Sequence, residues 1–344
     1  MVVALALRLR AGRRTNLALL LLLVAAVVTG SLAFAIGGSW VPWAVVTHGV
    51  AGLGLVVLAP WKSAISARGL RRHRPGIALS FALAASIVVT IVTGIGHSTG
   101  LLVSLGLLSA MQLHVAAAVA SMPLAVWHVL ARKTVPHRTD VSRRNLLRGG
   151  VLVGGAAAGY VAIEGLLLVG GLPGHARRST GSYERGSFQP DEMPVTQWLN
   201  DAVPAVNPQT WTLRIADAIG EREVGYEEVV AHRSTVGATL DCTGGWYAEQ
   251  RWEGALLSDL LAGADRAASI EVSSLTGYVR RLPVEDADVL LLATKVGGQT
   301  LSSGHGFPLR LVAPGRRGFW WVKWVDRVSL SETPWWWQTP FPLA

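Results

Sequence analysis

The sequence predicts a protein in two parts: a membrane α-helical bundle, four spans plus a fifth linking span, and then a mixed α+β domain. Three observations predict it. The 344 residues are 51% hydrophobic and only 15% charged, with mean hydropathy +0.39, a composition shifted towards the membrane class. The charge is unevenly divided. Residues 1–172 carry 15 Lys/Arg against two acids, Asp140 and Glu164, whereas 173–344 carry 16 against 20. Finally, uncharged runs long enough to cross a bilayer core of about 30 Å are confined to the first half.

Met1 to Arg14 is short and basic, and Leu17 to Ile36 then runs without a charge. A secretory signal shares this pattern, but the long apolar core and the spans that follow favour a retained helix. Trp40 to Trp61 is the second span, bracketed by Trp40, Trp43 and Trp61 as interfacial aromatics. The loop from Lys62 to Arg74 holds five basic residues; Ile77 to Gly96 and Leu105 to Ala131 are the third and fourth spans. Six more basic residues, Arg132 to Arg148, follow, while the opposite loops around Gly37-Gly38 and Ser98 to Ser104 carry no charge. That alternation puts the N-terminus inside and returns the chain inside after residues 1–135.

Residues 136–172 hold Ser142-Arg143-Arg144-Asn145-Leu146-Leu147 and a fifth apolar run, Gly149 to Leu172. The arginine pair reads either as another positive-inside anchor or as a twin-arginine export signal, which it resembles. Residues 173–190 read as a linker rich in Gly, Pro, Ser and Arg. From 191 to 344 the pattern is that of an outer domain. Strand-like runs such as Trp211 to Ile215 and Ser269 to Ser273 mix with helix-like pieces such as Leu256 to Leu261, without βαβ regularity. This half has no basic patch, so nucleic acid is not an expected partner.

The only cysteine is Cys242, in Thr239-Leu240-Asp241-Cys242-Thr243-Gly244-Gly245-Trp246. A lone cysteine is an inert core residue, a nucleophile or a thiolate on a soft metal. A second dense stretch, Gly304-His305-Gly306-Phe307-Pro308-Leu309-Arg310-Leu311-Val312-Ala313-Pro314-Gly315, runs on to Trp321-Val322-Lys323-Trp324. Together, from Phe188 to the C-terminus, the two stretches resemble the molybdopterin-binding domain of the sulfite oxidase family. The resemblance implies a molybdenum–molybdopterin cofactor with Cys242 as metal ligand and catalytic residue. It also implies a pterin site of His305, Arg310, Trp321, Val322 and Lys323, the tryptophan and valine acting through backbone groups, and a hydroxyl role for Ser274. Relatives that handle sulfite place an arginine close before the cysteine; here Leu240 and Asp241 stand there, which counts against sulfite as substrate.

Histidines stand out among the apolar spans: His48 in the second, His97 at the outer end of the third, His114 and His128 in the fourth. His114 and His128 are 14 residues apart, nearly on one face and about 21 Å apart along a helix. The bundle resembles b-type cytochromes, which implies heme b. Matching depth pairs His48 with His114 at an outer haem. For an inner haem on His128 the second span offers only Lys62 at the matching depth, whereas His73, in the inner loop beside Pro75, could reach; His97 is an alternative outer ligand or a quinone-site residue. Glu164 is the lone carboxylate of the fifth span. Trp335-Trp336-Trp337 near the C-terminus either dock on the bundle or pack on their own domain.

The expectation is a molybdopterin-dependent oxidoreductase in a bacterial cytoplasmic membrane, its catalytic domain extracytoplasmic. Its partners would be membrane lipid, the quinone pool, a small-molecule S-/N-oxide or oxyanion substrate, and the twin-arginine translocase during export. The rivals are the same enzyme on a haem-free anchor and a non-catalytic assembly protein that has lost its cofactor.

Overall fold

A computed structural model describes residues 12–70, 76–106, 108–132, 135–197 and 201–339. The chain divides into two compact units, Met1–Ala33 with Ser39–Gly181, and Phe34–Gly38 with Ser182–Ala344.

Among the described residues the first unit contains five helices long and apolar enough to cross a membrane: α1 (Arg13–Ala35), α2 (Val41–Leu70), α3 (Ile77–Thr99), α4 (Ala110–Ala131) and α5 (Arg143–Val169). Apolar side chains cover their outer surfaces; Leu21, Val92 and Val161 are all exposed. A helix that is hydrophobic all round needs a lipid-like surround, and its backbone is satisfied within the segment. α3 packs along α4, and α2 along α5.

Three boundaries differ from the sequence expectation. α2 runs through Pro60 to Leu70, so Lys62 and Arg68 are helical rather than in a loop; proline is tolerated where neighbours re-satisfy the freed carbonyl. α4 starts later, after a short hairpin of β1 (Ser104–Leu105) and β2 (Leu108–Ser109). A capping box between Ser109 and Gln112 fixes that start. α5 begins at Arg143 itself, which puts the arginine pair in its first turn.

The second unit takes in part of the stretch expected as a linker: β3 (Tyr183–Glu184) pairs in parallel with β7 (Trp246–Leu256). β7 is the spine of a six-stranded sheet, flanked by β6 (Ser234–Cys242) and β10 (Leu291–Val296), with β11 (Gln299–Thr300) and β12 (Arg310–Val312) on β10. Its side chains alternate: Trp246, Ala248, Gln250 and Trp252 face in while Glu249 and Arg251 face out, the period-two signature of a half-buried strand. Gly254 continues the inner row because any Cβ there would lie 2.0 Å from the Leu292 carbonyl. The second sheet orders β5 (Gly220–Gly225), β4 (Thr212–Asp217), β13 (Val325–Ser331), β8 (Ser269–Ser274) and β9 (Val279–Leu282), with β13 and β4 parallel. Short helices α6 (Tyr226–Ala231) and α7 (Leu257–Leu260) complete the expected α+β mixture. One continuous buried core fills this unit, with Trp252, Trp324 and Leu213 fully enclosed.

The tryptophan-rich tail packs on its own unit. Gln338 accepts from the Arg281 N–H at 3.1 Å and donates to the Arg281 carbonyl at 2.8 Å, extending the edge of β9. Trp335 packs edge-on against Trp320, while Trp336 and Trp337 stay exposed.

Candidate functional site

Cys242 is the last residue of β6, opposite Trp246 in the β6–β7 hairpin. The three-residue turn between them contains Gly245 at φ +90°, a left-handed position that glycine occupies without strain. The turn returns the Gly244 N–H to the cysteine Sγ at 3.3 Å. Burial pushes the Cys242 thiol up, against the N–H of Gly244 and the nearby Arg317 charge; an apolar enclosure disfavours a bare thiolate.

The sulfur opens on a cavity whose walls include Thr196, Asp201, Tyr278, Arg310, Trp321 and Lys323. The two sequence stretches meet here because β12 lies beside β10, two strands from β6. Arg310, on β12, is buried; its guanidinium lies over the Trp252 and Trp321 rings, 5.4 and 5.7 Å from their centroids, and Nη1 donates to the His305 carbonyl at 2.9 Å. Its Nε is enclosed without a hydrogen-bond partner among the described residues. Burial lowers the Arg310 pKa to about 10, which leaves it charged at neutral pH.

Lys323 is held by two carbonyls, Thr196 at 2.8 Å and Gly304 at 2.6 Å. Burial first, and Arg310 second, push its ammonium down to about 7. His305 sits in a turn capped by Ser302. Its Nε2 lies 3.0 Å from the Met193 carbonyl and its Nδ1 2.9 Å from the Ser302 hydroxyl. A carbonyl only accepts, so Nε2 carries the proton, and burial with the Arg310 charge lowers the pKa and keeps the ring neutral.

The other expected residues are also placed. Trp321 contributes its ring, stacked edge-on to Trp252 at 5.5 Å, as well as its backbone. The Val322 carbonyl pairs with the Leu311 N–H at 2.7 Å. Ser274 lines the cavity, its hydroxyl 3.2 Å from that of Thr276. Sequence reasoning missed Asp201, which burial pushes up in pKa, and Tyr278, pushed up to about 12 chiefly by burial. It also missed the segment Met193–Thr196, whose carbonyls hold His305 and Lys323. Carbonyl donors leave no signature in side-chain identity, and Asp201 and Tyr278 sit in no motif.

In the helical unit, the His48 and His114 rings lie 5.8 Å apart at 85°. The His48 Nδ1 is 2.8 Å from the Ala26 carbonyl of α1, and the His114 Nδ1 is 2.8 Å from the Thr90 carbonyl of α3. Each Nδ1 is therefore the donor, and each Nε2 is left as a lone pair. Both supports share one design. A glycine stands four residues after each carbonyl: a Cβ on Gly30 would lie 2.9 Å from the His48 ring, and one on Gly94 2.7 Å from the His114 ring. His97 is engaged by the Gly181 carbonyl at 2.8 Å, and His128 lies 3.5 Å from the Ser80 hydroxyl. His73 lies outside the described residues. Glu164 forms an ion pair with Arg177.

Residues 200–337 match the family model described as oxidoreductase molybdopterin binding domain. The mitochondrial sulfite oxidase of Mus musculus is 31% identical over 168 residues, covering 38% of this chain and 31% of that protein. The protein-methionine-sulfoxide reductase catalytic subunit MsrP of Gluconobacter oxydans is 26% identical over 247 residues, covering 59% of this chain and 73% of its own length. The sulfane dehydrogenase SoxCD of Paracoccus pantotrophus shares 23% identity at a TM-score of 0.34, over 38% of this chain and 40% of that one. The chain thus spans about a third of the length of the mitochondrial sulfite oxidases it matches.

Proposed function

We propose that this chain, whose residues 200–337 are a molybdopterin-binding oxidoreductase domain of the sulfite oxidase type, is a membrane-anchored molybdenum enzyme. It exchanges electrons between a small S-/N-oxide or oxyanion and the quinone pool through b-type haem. The observation that carries this reading is the single cavity in which the only thiol of the chain shares walls with Arg310 and Lys323. A soft sulfur ligand and two cationic donors around one cavity match a sulfur-bound metal and the anionic tail of a pterin.

The residues present fit the group. The Arg310 Nε is a buried donor awaiting an acceptor, and the tryptophans around the guanidinium fix its direction. Arg310 would take the anionic end of the pterin in a forked contact; Lys323, already near its neutral point, would be recharged by it. His305 is not among the residues lining the cavity; it donates to the Met193 carbonyl and braces the segment whose Thr196 carbonyl holds Lys323, and Cys242 would hold the metal. Once bound, molybdenum–molybdopterin supplies oxygen-atom transfer coupled to a two-electron redox change. Tyr278 and Asp201 supply protic groups at the same cavity, beside the Trp246, Trp321 and Trp324 rings.

For the haem, the support is the His48–His114 pair: two rings 5.8 Å apart, each with its Nδ1 on a carbonyl and a glycine making room beside it. They would hold the haem iron, and the haem would supply one-electron transfer. His128 with His73, and His97, are the further candidates for a second haem or a quinone contact. The charge alternation supports a bacterial cytoplasmic membrane with the catalytic domain outside. The Arg143-Arg144 pair supports export by the twin-arginine translocase: changing both to Lys should strand the domain inside.

Metal analysis and a reduced-minus-oxidised spectrum of purified protein test the reading. The expected result is about one molybdenum per chain with a b-type spectrum that His48→Ala or His114→Ala removes. Absent molybdenum would leave the assembly-protein rival, and molybdenum with no haem bands would leave the haem-free anchor.

A further inference from the structure

The residue before the metal-ligand candidate carries a buried charge that the proposed function does not use. Asp241 is 7% exposed. Its Oδ1 takes the guanidinium of Arg317, which is 2% exposed, and the hydroxyl of Ser182 at 2.6 Å. Arg317 Nη1 also lies 3.4 Å from that hydroxyl. The backbones of Asp241 and Arg317 form an isolated parallel bridge. Behind it, a Cβ on Gly318 would lie 3.2 Å from the Cys242 Cα, so the two chains are pressed together at the cysteine.

A buried ion pair is a poor source of net stability, because desolvation offsets most of its attraction. Its geometry is directional, and here it joins three parts of the site. The end of β6 carries Cys242, the segment after β12 leads to Trp321 and Lys323, and Ser182 precedes β3. On its other side Cys242 is already fixed by strand pairing with Trp246. What remains to be set is the direction of Sγ relative to Arg310 and Lys323.

We propose that Arg317 is a positioning residue: paired with Asp241 and bonded to Ser182, it fixes the Cys242 thiolate against the Arg310–Lys323 cradle. The proposal rests on the molybdenum reading of that site. Partners that orient a metal ligand typically change affinity or activity by about 10–100-fold when removed.

Removing Arg317 alone would take the guanidinium from a buried Asp241 carboxylate and could cost stability for an unrelated reason. The test therefore neutralises both partners in the full-length protein, Arg317→Met with Asp241→Asn, beside Arg317→Lys. Three readouts are taken: hydrogen exchange of the peptide over 238–246 in cofactor-free protein, molybdenum and pterin content, and the Mo(V) EPR signal with kcat/KM. The neutral pair should keep its thermal midpoint and pterin, exchange at least about 10-fold faster around Cys242, split the Mo(V) signal into several species and lose about 10–100-fold in kcat/KM. Arg317→Lys should recover most of this. A neutral pair with wild-type exchange and one wild-type signal overturns the proposal, as does a Lys variant no better than the neutral pair. Loss of fold and pterin together also overturns it, since the pair would then be a folding element. If the wild type binds no molybdenum, the site reading falls, and unchanged exchange in the cofactor-free variant still decides the positioning claim.

Discussion

At Cys242 the candidate ligand ends a strand, and its surroundings come from several separate stretches: Ser182, the Met193–Thr196 carbonyls, β12, and the turn leading to Lys323. At His48 and His114 each ring sits within a helix and is fixed by one carbonyl of a neighbouring helix, with one glycine making room. The sheet site stores its specificity in side-chain chemistry, which must survive at fixed positions. The helical site stores it in spacing, because carbonyls are supplied by every residue and only the missing Cβ is encoded. Breaking each site therefore calls for a different kind of substitution.

The largest effects are expected at the sheet site. Cys242→Ala should abolish turnover while the domain stays folded, since no other described thiol or thioether reaches the cavity and a small residue replaces a small one. Arg310→Ala should instead lose the pterin, as its charge-assisted contacts and its packing between two tryptophans go together. Molybdenum content separates the two: retained after the first change, lost after the second. A Cys242→Ala protein with wild-type turnover would remove the ligand assignment.

Next in size is a change that adds one methyl group. Gly94→Ala would place a Cβ 2.7 Å from the His114 ring, closer than real contacts permit, so ring or helix must shift and the hold of the Thr90 carbonyl on the ring is disturbed. The b-type absorbance should fall several-fold, with molybdenum content unchanged. Undiminished absorbance in Gly94→Ala would show that this clearance plays no part in binding haem.

The same contrast explains what could be read from the sequence. His305, Arg310 and Lys323 were legible because their types and order form a motif that demands charge and planarity. The five spans were legible because bilayer thickness and charge asymmetry are one-dimensional constraints. The His48–His114 pairing followed from depth arithmetic along two helices. Arg317 was not legible: its partner Asp241 lies 76 positions away in the chain, and either residue alone reads as a surface charge. The helical run of α2 beyond Pro60 was missed because a proline followed by charges imitates a helix end.

A smaller effect sharpens the electrostatic side of the comparison. Lys323, depressed to about 7 by burial, has an unfolded value near ~10.4. Between these values the unfolded chain binds a proton that the folded chain does not, so this group makes stability rise with pH. Cys242 acts oppositely: its raised folded pKa means stability falls once pH passes the unfolded value of about 8.5. His305, lowered by burial, contributes its rise below about 6.5. In cofactor-free protein the thermal midpoint should therefore climb from about pH 7 to 8.5, and Lys323→Met should flatten that climb. An equal slope in the Met variant would assign the pH dependence to another group.

The smallest expected effect concerns the tail. Gln338 is bonded to both backbone groups of Arg281 and within reach of Arg280 at 3.3 Å, so it substitutes for a strand residue on the open edge of β9. Trp335 is anchored between Trp320 and Arg316, 5.3 Å from that guanidinium. Trp336 and Trp337, at 63% and 68% exposure, carry little of this docking. Each lost hydrogen bond is worth about 0.5–1.5 kcal/mol, so Gln338→Ala should cost about 1–2 kcal/mol. For a unit of this size that is roughly 3–6 °C in Tm. Trp336→Ala with Trp337→Ala should stay within about 0.5 kcal/mol of the parent. Calorimetry of the three proteins orders them. Should the exposed pair prove the costlier loss, those rings are covered by something in solution, and the anchoring role given to Gln338 and Trp335 would pass to them.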